Sequence, residues 1–167
     1  MGSLLVHRIL VDGVALSAVA ISLIFGSLRW NPRLWLQDFP KDIRDAVPPK
    51  TPGERRQSLV WGIPFLAVLF LAPFLSCRAL IRDAGAPVSL AWLWVDAFGM
   101  AIVFNLVDLV VVDWLVVCTI TPSFLVVPGT VGFAGYKDYR HHVRAFVTGT
   151  VASTVIAAIA AGAAGFF

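Results

Sequence analysis

Long apolar runs separated by two polar stretches dominate the chain. A helix needs about 20 mostly apolar residues to cross a hydrocarbon core about 30 Å thick, at about 1.5 Å per residue. Four segments reach that length, at about 4–28, 59–81, 89–120 and 145–167. Runs this continuous leave no room for the period-2 alternation of a membrane barrel. The pattern predicts an all-α, polytopic membrane protein: one domain, a four-transmembrane-helix bundle, with long loops at about 29–58 and 121–144. The first run has His7 and Arg8 ahead of it and Ala18-Val19-Ala20 resembling a cleavage site. Asp12 and the continuation to Leu28 favour a retained helix over a cleaved leader.

Composition agrees. The 167 residues are 59% hydrophobic and 14% charged, against roughly a quarter charged in soluble domains. The mean hydropathy is +0.85. These values exclude a disordered chain and do not fit a cytosolic enzyme. Two cysteines, Cys77 and Cys118, supply neither a disulfide framework nor a cysteine-rich zinc site.

Charge placement adds an orientation. Arg29, Arg33, Lys41, Arg44, Lys50, Arg55 and Arg56 lie in the first long loop, and Lys137, Arg140 and Arg144 lie in or beside the second. Only Arg8, Arg78 and Arg82 fall on the other side. The positive-inside bias puts both long loops in the cytoplasm and both termini outside, with a bacterial inner membrane as the simplest setting. This topology accounts for the +3 net charge, so no nucleic-acid partner is required.

The loops carry their own signals. Trp30, Trp35 and Phe39 suit headgroup depth, with neighbouring arginines on lipid phosphates. The Leu34/Trp35/Phe39 spacing suggests a short helix lying on the membrane; the alternative is a lid over a site opening to the inner leaflet. Pro48-Pro49-Lys50-Thr51-Pro52-Gly53 forces an extended turn, and Thr51 with Glu54 forms a capping-box pattern. In the second loop Pro128-Gly129 marks a turn, and Phe124 to Val127 is apolar enough to dip into the membrane. Its glycines lack a following Gly-Lys-Ser/Thr, which removes a nucleotide site.

The third run holds the candidate chemistry: Asp96, Asn105, Asp108 and Asp113. A carboxylate in a bilayer costs about 2.5–3.5 kcal/mol even on lenient scales, so it must face protein, a partner or water. At about 100° per residue, Asp108 and Asp113 flank Asn105 within an arc of about 140°. Asp96 points roughly opposite and is expected near the outer surface. Burial suits Asp108 and Asp113 to proton exchange as catalytic acid or base, with Asn105 orienting a carboxyl or a substrate group. Trp114, Tyr136, Tyr139, His141 and His142, with Trp35 and Asp38 from the first loop, are the candidate substrate-binding residues. The competing reading pairs Asp108 and Asp113 with arginines or helix ends as struts.

Other polar groups have local explanations. Arg8 and Asp12 suit an i,i+4 pair, as do Asp138 and His142. Adjacent His141 and His142 diverge on a helix and match no metal spacing, so neither a metal nor a cofactor is expected. Pro64 and Pro73 should kink the second helix and open space beside the third. Small residues at Gly149/Ser153, Ala158/Gly162, Ala161/Gly165 and Ser22/Gly26 permit close helix contact, inside the bundle or at a homo-oligomer seam.

Asn31-Pro32-Arg33-Leu34-Trp35-Leu36, Asp108-Leu109-Val110-Val111-Val112-Asp113-Trp114 and the stretch from Pro128-Gly129-Thr130 to Tyr139 together resemble a group of small four-helix bacterial integral membrane proteins. The resemblance implies topology and carries no catalytic assignment. The residues themselves favour a small membrane enzyme acting by acid–base chemistry at the cytoplasmic leaflet. Its substrate would be hydrophobic, lipid- or isoprenoid-like, drawn from the membrane lipids around it. The alternatives are a proton- or ion-coupled transporter acting as a homo-oligomer, or a structural subunit of a membrane complex.

Overall fold

The computed structural model describes residues 2–166; Phe167, the end of the fourth sequence-based span, lies outside the described residues. Helix α1 spans Gly2–Trp30, and a 3₁₀ turn at Pro32–Asp38 leads to a short α2, Lys41–Asp45. Helix α3 covers Pro52–Asp83 and α4 covers Leu90–Val107, running directly into a π-helix at Asp108–Ile120. A second 3₁₀ turn, Ala134–Lys137, precedes α5, Tyr139–Phe166. Four of these stretches are long and apolar enough to cross a membrane. This is an all-α, multi-pass membrane bundle.

Local chemistry sets the boundaries. Thr51 accepts from the Glu54 backbone N–H while the Glu54 carboxylate accepts from the Thr51 N–H, the reciprocal capping box that the sequence predicts, with Pro52 following it. Ser89 caps α4 through the Trp92 N–H, and Asn31 opens the first 3₁₀ turn through the Arg33 N–H. The π segment ends at Thr121, a left-handed residue at φ 49°, ψ 62°, whose N–H bonds five residues back to the Val116 carbonyl. Lys137 closes that end, its ammonium donating to the Cys118 and Thr119 carbonyls and to Thr121 Oγ1. A cation at a helix C-terminus is favoured there.

Helix α4 packs chiefly against α5 and α1, while α3 closes on both of those helices. The small-residue face of α5 is used inside the bundle: Ser153, Ala157, Ala160, Ala161 and Ala164 are buried. Ala158 and Gly162, by contrast, are exposed. Large apolar side chains cover the outside of the helices, among them Leu10, Ile63, Val151 and Ile159, as a lipid-facing surface requires. Helix α3 runs on through both Pro64 and Pro73.

The loops do not lie flat. Ile43, Leu125 and Val127 are completely buried, and they join Ile24, Leu28, Phe39 and Val112 in one apolar core at the loop end. Phe39 and Trp35 turn inward onto this core, and Leu34 and Leu36 are buried beside them. Trp30 alone of the three aromatics stays exposed. The apolar Phe124–Val127 stretch packs against this core through Leu125 and Val127. Gly135 lets the two loops meet: its N–H donates to Asp42 at 2.8 Å, and a Cβ there would collide with that carboxylate.

Candidate functional site

Three polar residues of the α4–π junction face one cavity. Asn105, Asp108 and Asp113 all line a space of about 340 Å³, walled by Phe65, Leu69, Phe104 and Phe146. A second lobe of about 200 Å³ adjoins it, lined by Trp35, Phe39, Val112 and His142. Asp38, Phe65, Asp108, Asp113 and Ala145 border both. Together the lobes fall in the size range of small-molecule pockets.

The shared face has a different origin from the one assumed on a regular helix. A uniform α-helix would separate Asp108 from Asp113 by about 140°. The winding changes at Asp108, and i→i+5 bonding brings residues five apart more nearly above one another. π segments are usually single turns found at functional sites; this one runs for 13 residues.

His142 completes the constellation from the start of α5. Its Nδ1 lies 2.9 Å from Asp113 Oδ1, with the imidazole 9% and the carboxylate 19% exposed. Its Nε2 is buried and has no hydrogen-bond partner. The expected partner, Asp138, does something else. It accepts from the His141 backbone N–H at 3.0 Å and so starts α5, which frees His142 for Asp113. His141 does not share the cavity: its Nε2 bonds the Asp38 carbonyl at 2.8 Å, tying α5 to the first 3₁₀ turn.

Asp38 is exposed, but onto the two cavity lobes. Surrounding protein pushes its carboxyl above the ordinary range; Lys50 nearby and a 2.8 Å bond from Gln37 Nε2 offset this only in part. Lys50 is itself held below the usual lysine range by burial. It donates to the Leu34 carbonyl and Gln37 Oε1, and to Ser58 Oγ at 3.1 Å. Asn105 is braced by Thr150 at 3.4 Å and sits on Gly149, where a Cβ would come 2.9 Å from its Oδ1. The Asp108 carboxylate has neither an ion pair nor a hydrogen bond among the described residues.

Of the remaining candidates, Trp114, Tyr136 and Tyr139 line neither lobe and Trp35 borders the smaller one. Tyr136 is 2% exposed, and its hydroxyl accepts from the Val127 N–H and bonds Thr130 Oγ1, both at 2.8 Å. It holds the second loop in shape. Trp114 and Tyr139 meet edge to face on the surface, with the Tyr139 hydroxyl 3.0 Å from Thr119 Oγ1. Trp35 borders the smaller lobe, its indole N–H on Ser27 Oγ at 2.7 Å. The sequence reading missed the apolar walls, Phe65, Phe104 and Phe146; nothing distinguishes them locally from other phenylalanines in apolar runs.

Chemically, this is an imidazole oriented by a carboxylate, a second carboxylate beside it, and greasy walls. With Asp113 accepting at Nδ1, the neutral ring carries its lone pair on Nε2, the nitrogen without a partner. No group of three or more His, Cys, Asp or Glu side chains among the described residues is arranged to hold a metal ion. Comparison with protein-family models, curated proteins and solved structures finds no match to this chain.

Proposed function

We propose that the protein is a small membrane enzyme performing acid–base chemistry on a lipid-like molecule that enters from the bilayer. One observation carries this reading. His142 is held by Asp113 at 2.9 Å with its other nitrogen unpartnered, on a cavity walled by aromatic and aliphatic side chains. His142 is the proton acceptor and donor, Asp113 fixes its tautomer, and Asp108 is the second proton-exchanging group. Asp38 and Trp35 form the rim, so the first 3₁₀ turn serves as the lid. The balance of arginines and lysines supports a bacterial inner membrane with both long loops cytoplasmic and the site at the inner leaflet.

Transport is the second reading, favoured by one feature. Asp96 is fully buried with neither carboxylate oxygen partnered, and it sits on α4 beyond Met100 and Phe104 from Asp108. Lipid mass spectrometry on cells grown in D₂O separates the two. Wild-type expression should change the abundance or deuterium content of a lipid species, and His142→Ala and Asp108→Asn should abolish the change. A lipid profile identical to that of empty-vector cells would overturn the enzyme reading. Proton flux in proteoliposomes that depends on Asp96 would establish the other.

A further inference from the structure

The first loop holds a second concavity, separate from the carboxylate cavity and of opposite charge. Arg44 of α2, Lys50 of the proline turn and Arg55 of the first turn of α3 surround a space of about 340 Å³ with Leu36 and Gln37. Among the described residues none of the three cations has a carboxylate at ion-pair distance. The nearby Glu54 is consumed by Arg33 at 2.6 Å. The cations are instead held by neutral acceptors. Arg44 reaches the Gln37 carbonyl at 3.4 Å, Arg55 the Lys50 carbonyl at 3.3 Å, and Lys50 has Leu34, Gln37 and Ser58. Pro48, Pro49, Pro52 and the Thr51 cap stiffen the connecting segment that carries Lys50. Three positive charges are thus positioned around one hollow without a direct ion pair, Lys50 being balanced only at longer range by Asp38 and Glu54.

The surroundings identify the kind of ligand. Arg55 lies at the loop end of an exposed apolar stripe on α3, formed by Leu59, Ile63 and Leu66 at 62%, 64% and 60% exposure. Residues three or four apart share a helix face, so cationic hollow and stripe are continuous. A charged head with an apolar tail fits that surface; a soluble anion would use only its upper end. The geometry points to a binding site for the phosphate headgroup of a membrane lipid at Arg44, Lys50 and Arg55, with the lipid chain lying along Leu59, Ile63 and Leu66. Arginines fork onto phosphate oxygens and lysine supplies a point charge. Leu66 also lines the larger lobe of the carboxylate cavity, so a lipid seated there brings its chain to the cavity mouth. That last extension makes a phosphate-bearing lipid the substrate class and rests on the acid–base reading; headgroup binding does not.

Native mass spectrometry of the purified full chain in mixed micelles containing phosphatidic acid tests the site. Wild type should retain the lipid, and Arg44→Gln with Arg55→Gln should lower retention about thirtyfold, the loss of two surface cation contacts. Lys41→Gln with Arg56→Gln removes the same charge from exposed positions of the same loop and should leave retention unchanged. An equal fall in both double variants would reduce the effect to general electrostatics and overturn the site. Retention unaffected by Arg44→Gln with Arg55→Gln would do the same. Inorganic phosphate should not displace the lipid; complete displacement would assign the hollow to a soluble phosphate compound and overturn the lipid. Because this readout is binding, it stands or falls apart from any change in lipid composition in cells.

Discussion

The two ends of the bundle carry polar clusters of similar residues, and they are resolved in opposite ways. Away from the loops, Arg8 donates to Asp83 at 3.0 Å and the Ser76 carbonyl at 3.2 Å, and lies 4.0 Å from Asp12. The Ser76 hydroxyl bonds Asp12 at 2.7 Å. At the loop end, Asp38, Asp108 and Asp113 surround a cavity with no arginine in its lining, and among the described residues the one contact of theirs at ion-pair distance is Asp113 with His142. An arginine among carboxylates makes a strut between α1 and α3. The histidine between these carboxylates instead leaves a buried Nε2 without a partner.

The largest expected effect breaks the loop-end cluster. His142→Ala should lower turnover about 10²–10⁴-fold, the usual contribution of a general acid or base. Asp113→Asn should approach that loss by releasing the ring orientation and tautomer. Circular dichroism and expression should stay near wild type in both, because neither group supports the apolar core. If both variants retain full activity, the pair is a strut like its counterpart and the contrast between the two ends disappears.

Removing the strut should instead cost stability and spare turnover. Arg8→Ala should destabilise the bundle by about 1–2 kcal/mol, mostly through the Ser76 carbonyl and the carboxylates it leaves unbalanced. Asp96 is the exception within its own end. It is fully exposed to neither solvent nor partner: both oxygens are buried without a hydrogen bond. Asp96→Ala should therefore remain within about 1 kcal/mol of wild type, since removing a buried carboxylate without a geometrically formed hydrogen bond offsets the loss of its polar neighbours Ser76 and Cys77. Thermal melts in detergent compare the two. A drop on Asp96→Ala as large as on Arg8→Ala would show that Asp96 holds something essential.

These contrasts explain which parts were legible in the sequence. Four spans were, because crossing a bilayer demands a minimum apolar length that composition alone reveals. The Thr51–Glu54 cap was legible because both partners lie within one turn. The cluster of Asn105, Asp108 and Asp113 was foreseen as one face, yet by uniform winding; no local residue marks where α-helix gives way to π-helix at Asp108. Asp96 is completely buried, which its own helix could not reveal, since neighbouring helices decide what covers it. The histidine pairing was misassigned for the same reason. Asp138 is four residues from His142 and Asp113 is far along the chain, and only the packed bundle brings the distant one closer. Tyr136 looked like a pocket aromatic, but a buried hydroxyl needs partners, and Val127 and Thr130 supply them.

A smaller perturbation tests how tightly the loop-end site is built. Gly149→Ala places a Cβ 2.9 Å from Asn105 Oδ1 and 3.2 Å from its Nδ2. Overpacking of this kind costs about 1–3 kcal/mol, and alanine's better helix propensity returns about 1 kcal/mol. A net loss of about 1 kcal/mol is expected, with a several-fold fall in turnover as Asn105 leaves the cavity wall. Gly162→Ala, where no atom lies within 4 Å, should be neutral or slightly stabilising. Equal behaviour of the two variants would mean that the α4–α5 approach at the site is loose.

The smallest effect is a pH dependence that separates Asp38 from the paired carboxylates. Its carboxyl is raised chiefly by burial, so the folded protein binds more protons than the unfolded chain above the ordinary carboxylate range. Stability contributed by this group is full below pH about 4 and declines as pH rises through the folded-state value. Asp38→Asn should remove that decline, raising the melting midpoint at neutral pH by about 1–2 °C relative to wild type while leaving the acid-side midpoint unchanged. The gain is small because Asp38 opens onto the cavity and Lys50 and Gln37 already offset part of its burial. A neutral-pH midpoint that falls instead would identify Asp38 as a paired carboxylate of the strut kind. The first 3₁₀ turn would then be held by that charge rather than by the His141 bond to the Asp38 carbonyl.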